Sequence, residues 1–422
     1  MNRIIIVGNG FDLAHGLKTK YEDFINWYWG KWLNRLKNST TQCEEDSLCE
    51  ISVSDKYKKK KSTLFEIFNY NLLYIYEDYR LFFVYNTDHF FTLKYKSVLF
   101  ENICKMSVVN GWVDIECAYY ELLKSCDDNR VNLIKLNKDF AVIQDLLIEY
   151  LNEINKADIY DKILTKQIRD KILSPFFAKE IGITANSIWQ NFAVNRVNGN
   201  KNVYSQHLKE FEYENVDCDY LNEIGHQEYS NLVDGKKVSD DIGHLLFLPN
   251  RVMLLNFNYT SIADFYLPDN PHFILNHIHG ELAKPENVIF GYGDESDDEY
   301  KRLQKINDNE YLRHIKTNRY LETPNYRDLL SFIDSAPFQV CIMGHSCGLS
   351  DKTLLNTLFE HKNCVSIKPY YYVNEQGKDN YLDIVQNISR NFTNPQLMRD
   401  RVVNKTYCEE LPQVTRKQKE EE

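Results

Sequence analysis

The pentapeptide Gly344-His345-Ser346-Cys347-Gly348 matches the G-x-S-x-G nucleophile elbow of serine hydrolases. In such hydrolases a histidine well downstream of the serine completes the triad. Here His361 is the only histidine after Ser346, and it falls inside the helix that the elbow would start. The sequence therefore predicts that Ser346 is not a nucleophile. The loop is instead expected to contact a ligand through its small residues and its hydroxyl group.

A second glycine-containing loop, Gly8-Asn9-Gly10, follows the apolar run at residues 3–7. Leu13 stands where the dinucleotide fingerprint G-x-G-x-x-G has its third glycine, so the loop is not an ordinary Rossmann signature. The two glycines would still let the backbone approach a phosphate or a ribose. The alternative is that they only form a tight turn.

Two asparagines in the stretch NFNYTS, Asn256 and Asn258, lie on the same side of an extended segment because strand side chains alternate. Both amides are expected to point at a ligand hydroxyl. In the alternative interpretation, Asn258 satisfies backbone groups of the turn while Thr260 or Ser261 caps the next helix.

Two histidines in the stretch NHIHGE, His277 and His279, share one face of a predicted strand, a spacing that suits a metal ion. A metal-dependent hydrolase is therefore one hypothesis, although the sequence offers no clear set of partnering carboxylates. If its strand neighbours that of Asn258, His279 would lie beside the asparagine loop. Imidazole titrates near about pH 6.5, so His279 is also the candidate general base.

Short apolar runs precede each of these loops, and their positions predict the fold. Runs bounded by turn signals indicate strands buried on both faces, as in a parallel sheet; they lie at residues 3–7, 251–256, 273–278, 287–290, 339–343 and 364–373. The predicted fold is α/β: a doubly wound, mostly parallel, Rossmann-like sheet that binds its ligand at the carboxyl ends of the strands. Residues 1–40 and 245–410 would form this core, 41–244 a mostly helical insertion or cap, and 411–422 a disordered tail.

Composition excludes several classes of function. The 422 residues carry a formal net charge of −11 and no basic stripe, which disfavours nucleic acid as a partner. No segment approaches the ~20 apolar residues of a membrane span, and the chain begins without a signal-peptide pattern, so we expect a soluble, cytoplasmic protein. None of the ten cysteines forms a C-x-x-C pair, which argues against a zinc ribbon.

Six separated motifs, in this order, resemble the AbiH family of bacterial abortive-infection proteins: IIIVGNGFDLAHGLKTKYEDF, WVDIE, NFNYT, HIHGE, FGYGD and IMGHSCGLSD. The same pattern is more distantly similar to sirtuin-like NAD-consuming domains. The resemblance implies an anti-phage effector that binds and hydrolyses NAD as an NAD glycohydrolase, with NAD as its substrate and no metal. It implies dinucleotide contacts at Gly8, Asn9, Gly10, Phe11, Asp12, Asn256, Gly344, His345, Ser346 and Asp351.

The resemblance also implies catalytic roles for Asn258 and His279, and the expected reaction adds Asp12 or Glu116. Asn258 would hold the nicotinamide ribose, His279 would be the base, and Asp12 or Glu116 would offer a carboxylate to the developing positive charge. For Glu116 the alternative is that it only favours the first turn of a helix. Asp12 stands where sirtuin-like loops usually carry serine, and Thr260 replaces the aspartate that follows the asparagine.

A function of another class is also open: the crevice could bind NAD or ADP-ribose without turnover, as a sensor or an assembly component of a phage-defence system. The true sirtuins' zinc-ribbon cysteines are missing, which disfavours protein deacylation. The family implies a phage-derived trigger. A homo-oligomer is compatible with the sequence.

Overall fold

The computed structural model describes residues 1–71, 78–85, 90–110, 114–126, 130–155, 162–199, 201–213 and 215–414. The chain forms two compact units: unit 1 comprises Met1–Leu17, Ala157–Ile289 and Arg319–Glu422, and unit 2 comprises Lys18–Lys156 and Phe290–Asn318. In chain order the strands are β1 Asn2–Val7, β2 Cys43–Glu45, β3 Cys49–Val53, β4 Phe91–Tyr95, β5 Val252–Asn256, β6 Phe273–His277, β7 Phe338–Met343 and β8 Cys364–Tyr370.

Unit 1 is built on a five-stranded parallel sheet in the order β6-β5-β1-β7-β8. Alternate residues of the central strand β1 face opposite sides, so Ile5 and Val7 join one hydrophobic cluster while Ile4 and Ile6 join another. All four are fully buried. Burial on both faces explains why the strands are continuous apolar runs, and it confirms the predicted doubly wound α/β sheet.

Helices cover both faces of this sheet. The first cluster includes residues of Asn9–Ala14, Lys162–Ile172, Asn186–Val197, Lys201–Glu210, Cys218–Gln227, Tyr229–Asp234 and the 3₁₀ helices Ile183–Ala185, Asp241–Phe247 and Ile262–Tyr266. The second includes residues of Asn325–Ser335, Lys352–Phe359 and Tyr381–Arg390. Unit 1 also contains the helix Pro395–Arg401 and the 3₁₀ helices Ala178–Glu180, Pro285–Asn287, Leu349–Asp351 and Lys405–Tyr407.

The boundaries predicted for the insertion, 41–244, differ from those of the structure. Helices between residues 162 and 247 pack on the sheet and belong to unit 1, whereas residues 18–40 and 290–318 belong to unit 2. An amphipathic helix has the same sequence period whether it covers a sheet or another helix, so the pattern could not identify its partner. At the end of the chain, Leu411 is buried and the Val414 N–H donates to Ala14 O; residues 415–422 lie outside the described residues.

Two local predictions are corrected. Residues 287–290 form no strand; the segment is attached by Ile289, whose N–H donates to His279 O at 2.9 Å. Residues 8–18, predicted to be a loop, begin a helix at Asn9 directly after β1. Four of the apolar runs predict strands within one residue of their observed bounds, and the run at 364–373 extends three residues past β8.

Unit 2 combines a small sheet with helices. Strands β2, β3 and β4 are antiparallel in that order. Its helices are Tyr21–Lys37, Asp55–Lys58, Leu64–Glu66, the π-helical turn Ile67–Asn71, Tyr79–Tyr85, Val98–Asn110, Ile115–Lys124, Arg130–Ile154, Asp298–Lys305 and the 3₁₀ turn Asn309–Leu312; Lys316–Arg319 ends at the boundary with unit 1. In the part of the chain that the structure describes, none of the helices is both long and apolar enough to cross a membrane.

Candidate functional site

The carboxyl ends of four neighbouring strands of unit 1 carry the residues that the sequence singles out. β1 ends before Gly8, β5 ends at Asn256, β6 ends at His277, and β7 ends before Gly344. β1 lies between β5 and β7, although the chain reaches them much later. The chain therefore changes direction across the sheet at β1, which is where open α/β sheets bind their ligands.

The glycines of the first loop serve loop packing. The Gly10 N–H donates to Gly344 O at 2.7 Å, so the loops after β1 and β7 are bonded directly. A Cβ atom on Gly8 would lie 2.4 Å from His345 Cα, and one on Gly10 would lie 2.8 Å from Gly344 Cα. These glycines are required because another loop approaches them, and the predicted approach of a phosphate stays a prediction.

Asn258, Asp12 and Thr260 form a buried polar cluster beneath these loops. The Asn258 amide donates from Nδ2 to Gly8 O at 3.0 Å and to Asp12 Oδ1 at 2.9 Å. The Thr260 hydroxyl donates to Asp12 Oδ2 at 2.7 Å. Asp12 thereby accepts at both oxygens, and it fixes the orientation of Asn258. Asn258 Oδ1 accepts no hydrogen bond from the described residues, so the amide oxygen is the atom available to a ligand.

Burial raises the pKa of Asp12 to about 7, although the hydrogen bonds from Thr260 and Asn258 lower it. Asp12 is only 2% exposed, and an ionised carboxylate is costly in such surroundings. Because the folded-state pKa exceeds the unfolded value, the native protein binds more protons than the unfolded chain between about pH 4 and pH 7. Protonation of Asp12 therefore stabilises the native protein. This stabilisation is fully present below the pKa of Asp12 in the unfolded chain, and it is lost as pH rises through about 7.

We expect the variant Asp12→Asn to remove this pH dependence. The free energy of unfolding of the wild type should fall relative to that of the variant by up to about 4 kcal/mol between pH 4 and pH 8, the equivalent of about three pKa units. Chemical denaturation of both proteins across this range measures the difference. Parallel pH profiles for the two proteins would contradict the assignment.

Asn256 acts inside the turn rather than toward a ligand, which corrects the prediction that both asparagines point outward. Its Oδ1 accepts the Asn258 N–H at 3.0 Å, and its Nδ2 lies 3.4 Å from Thr260 O and 3.3 Å from His277 Nδ1. The side chain is fully buried. Asn256 therefore shapes the turn that presents Asn258.

His279 lies in a buried group of ionisable side chains. Its Nε2 is 3.3 Å from Asp351 Oδ1 and 3.2 Å from Tyr320 Oη. The other carboxylate oxygen of Asp351, Oδ2, is 3.5 Å from His345 Nε2. A carboxylate that bonds one nitrogen of an imidazole fixes its tautomer and increases its basicity. Asp351 thus links the loops after β6 and β7.

An aromatic ring separates the two histidines of this group. The ring of Phe257 contacts the His279 ring at a centroid distance of 4.9 Å and the His345 ring at 4.3 Å, both edge to face. Phe257 is 6% exposed. Its ring supplies a buried apolar surface beside the two imidazoles, and such low-dielectric surroundings strengthen the electrostatic interactions of Asp351.

The structure agrees with the prediction that Ser346 has no catalytic partner. His345 precedes it, but the Nδ1 of that ring accepts the Cys347 N–H at 3.0 Å and its Nε2 faces Asp351. His361 follows the end of the helix Lys352–Phe359 and lies 3.4 Å from Asp334. Ser346 is exposed, and its carbonyl oxygen accepts from Asn387. Burial raises the pKa of the neighbouring Cys347 thiol, so that group is not a reactive thiolate.

Two residues of the helix Asn9–Ala14 differ in their exposure. Phe11 is fully buried, and its ring packs against His15 and Tyr266 at centroid distances of 4.8 and 5.2 Å. The ring therefore has a packing role, and the predicted cofactor contact of Phe11 stays a prediction. Asn9 is exposed at the start of the helix, where a ligand can reach it.

Glu116 belongs to unit 2, whereas the other predicted site residues belong to unit 1. Its Oε1 accepts the Gly291 N–H at 2.9 Å, and its Oε2 pairs with Lys316 Nζ at 2.8 Å. Lys316 is 1% exposed. These contacts join the motifs WVDIE and FGYGD, of which Trp112 and Val113 lie outside the described residues. The predicted catalytic role of Glu116 stays a prediction.

The two histidines of the metal hypothesis have different partners. His277 Nε2 lies 3.2 Å from Asp264 Oδ1, whereas His279 faces Asp351. Across the described ranges, no group of three or more histidine, cysteine, aspartate or glutamate side chains is arranged to hold a metal ion.

Sequence reasoning did not select two contributors to the site. The sequence suggests Thr260 as a helix cap and as a departure from a pattern, whereas its hydroxyl bonds Asp12. Tyr320, 4% exposed, lies in a segment without a motif, and only the fold brings its hydroxyl to His279.

Comparison with known proteins gives one match. The sequence profile of a family described as bacteriophage abortive infection AbiH matches residues 4–372. No curated protein and no solved structure matches the chain. The more distant similarity to sirtuin-like domains is not shown by these comparisons.

Proposed function

The chain belongs to the AbiH family of bacteriophage abortive-infection proteins, and we propose that it carries out this role by cleaving the bond between nicotinamide and ribose in NAD. The reaction consumes one NAD and one water, and it releases nicotinamide, ADP-ribose and a proton. Loss of NAD would stop metabolism in an infected cell before phage are made.

The observation that carries this proposal is the pair of His279 and Asp351 at the carboxyl edge of the sheet. The pair is buried, its closest atoms are 3.3 Å apart, and it lies at the end of β6, which neighbours the strand of Asn258. An imidazole oriented by a carboxylate is the common general base of hydrolytic reactions. His279 would take the proton of the attacking water, and Asp351 would stabilise the imidazolium that forms.

Asn258 supports the proposal by the way its side chain is held. Both protons of its amide nitrogen are engaged by Gly8 O and Asp12 Oδ1, which leaves Oδ1 to accept a ribose hydroxyl. Such a fixed acceptor would orient the ribose without losing rotamer freedom on binding. In this proposal Asp12 is a positioning residue for Asn258, because both of its carboxylate oxygens accept hydrogen bonds within the cluster.

The two departures from the sirtuin-like pattern compensate each other. Sirtuin-like loops usually carry serine at the position of Asp12 and aspartate at that of Thr260, so the hydroxyl and the carboxylate are exchanged in this chain. In this chain the Thr260 hydroxyl donates to Asp12 at 2.7 Å, which joins the two loops by a hydroxyl-to-carboxylate bond.

The nicotinamide ring of NAD carries a positive charge that is neutralised when its bond to ribose breaks. Nicotinamide therefore leaves as a neutral molecule, and no general acid has to protonate it. The demand on the protein is to stabilise an oxocarbenium-like ribose and to activate water, as in glycoside hydrolysis. Phe257 and the surrounding buried groups would exclude other water from the reacting carbon.

A second candidate function, binding of NAD or ADP-ribose without turnover, is favoured by the packing of the glycine loops. Because the loop after β7 fills the space beside Gly8 and Gly10, the dinucleotide would have to bind across these loops or displace one of them. A site that opens in this way suits a sensor whose conformation reports the ligand.

Chromatography of the purified protein after incubation with NAD distinguishes the two functions. The proposed hydrolase releases nicotinamide and ADP-ribose in equal amounts. If the melting temperature rises with NAD but no nicotinamide appears, the sensor replaces the hydrolase. If NAD is neither cleaved nor bound, with and without lysate from infected cells, both assignments are wrong.

A further inference from the structure

A cavity of about 570 Å³ lies at the amino-terminal edge of the unit 1 sheet, opposite the candidate site. Met1, Asn250 and Ala336-Pro337 line it, and these residues directly precede or begin β1, β5 and β7. The helix Asn186–Val197 forms another wall. The volume lies within the range of about 300–1,000 Å³ that is typical of small-molecule sites.

Arg196 is the charged group that lines this cavity. Its Nη2 donates to Leu248 O at 3.0 Å and to Asn250 Oδ1 at 2.6 Å, and it lies 3.2 Å from His207 Nε2. Its Nε and Nη1 have no acceptor among the described residues. The guanidinium also lies over the ring of Phe192, 5.3 Å from the centroid. Neutral partners therefore hold the guanidinium in place, and the N–H groups of Nε and Nη1 can donate to a ligand.

No carboxylate of the described residues pairs with Arg196. The nearby Glu210 instead lies 3.2 Å from His272 Nε2 and 3.7 Å from His207 Nδ1. His207 contributes no positive charge near neutral pH, since burial, followed by the charges of Arg196 and His272, lowers its pKa to about 4. A half-buried guanidinium cannot lose its proton, so its charge is left without a counterion in a protein of net charge −11.

The other walls suit an organic ligand. Ile188, Phe192 and Tyr204 supply apolar and aromatic surface, and the amides of Asn191 and Asn195 lie on the exposed rim. An aromatic ring beside a fixed guanidinium favours a planar group that carries a negative charge.

We propose that this cavity binds a small organic anion, with a phosphate or carboxylate at Arg196 and a planar apolar body against Phe192. The site does not depend on the proposed NAD cleavage, because the two lie at opposite edges of the sheet.

Binding of AMP, benzoate and inorganic phosphate to the purified full chain tests the proposal, with isothermal titration calorimetry as the measurement. AMP and benzoate share the planar body and differ in the anionic group, so their comparison identifies which head group the site takes. Inorganic phosphate lacks the body and should bind at least tenfold more weakly than the better of the two.

Variants locate the binding. Asn195→Asp places a carboxylate on the rim of the cavity and should weaken binding at least tenfold. Asn198→Asp makes the same change on exposed chain that does not line the cavity, and it should leave binding unchanged. Arg196→Gln should abolish binding. Both aspartate substitutions are at exposed positions, so folding is not at risk.

A further variant separates this site from the candidate NAD site. Binding of the organic anion should persist in Asn258→Ala, which removes the amide oxygen proposed to hold the ribose of NAD. If it is lost there and kept in Asn195→Asp, the anion binds at the other edge of the sheet and the proposal is wrong. Equal affinities in the two aspartate variants, or no binding of either organic anion at millimolar concentration, would also overturn it.

Discussion

Replacing Gly344 with alanine is expected to destabilise the protein by at least about 3 kcal/mol, or to prevent folding, since a strained backbone and a steric clash coincide at this position. Gly344 has φ +75°, which side chains rarely adopt. An added Cβ would lie 2.1 Å from Phe11 N and 2.4 Å from Gly10 C, both of them backbone atoms. Neither can move without breaking the bond between Gly10 N–H and Gly344 O.

Gly348→Ala is the matched control in the same loop. Gly348 has φ −66°, and the nearest atom to an added Cβ is Ser346 Oγ at 3.6 Å, an ordinary contact. We expect a change within about 0.5 kcal/mol. Urea denaturation of the two variants measures the difference. Equal stability of the two would show that the loops after β1 and β7 do not pack as described.

The variant His279→Ala is expected to reduce nicotinamide release from NAD by a factor of about 10² to 10⁴, the usual contribution of a general base. The substitution removes the group that would accept the proton of the attacking water, and it leaves Asp351 with His345 as its remaining imidazole partner. Initial rates at saturating NAD should fall while binding of NAD changes little, because the imidazole acts mainly in the transition state.

His277→Ala controls for the loss of a histidine from the same segment. Its side chain pairs with Asp264 rather than with Asp351, so the rate of nicotinamide release should be little changed. If the two variants lose activity equally, either both substitutions disrupt the fold or the two histidines bind a catalytic metal ion. Melting temperatures of both variants distinguish these cases, and addition of a chelator to the wild type tests the metal directly.

The strands and their ligand-binding edge could be predicted from the sequence because a strand buried on both faces is a continuous run of apolar residues. Runs such as residues 3–7 and 339–343 have no polar alternation, and the parallel arrangement follows from that. The exception, residues 287–290, is equally apolar. It does not form a strand because it makes isolated backbone hydrogen bonds, such as the one from Ile289 N–H to His279 O, instead of a ladder with a neighbouring strand.

The contacts within the candidate site could be predicted only in part. The motifs place Asn258 and His279 after two predicted strands, but only the fold shows that these strands are neighbours. That Gly8 faces His345 depends on the spacing between two loops more than 330 residues apart in the chain. That Asn256 turns inward depends on its bond to the N–H of Asn258 in the same turn. No sequence motif marks Tyr320, because its hydroxyl contacts His279 only in the folded chain, where its segment lies near the end of β6.

Intracellular NAD, measured during phage infection of cells that this protein protects, tests the central claim most directly, because the infection itself supplies any trigger. Cells with the wild-type protein should lose most of their NAD before lysis, and cells with His279→Ala should keep their NAD and lose protection. Protection with an unchanged NAD level would contradict the account.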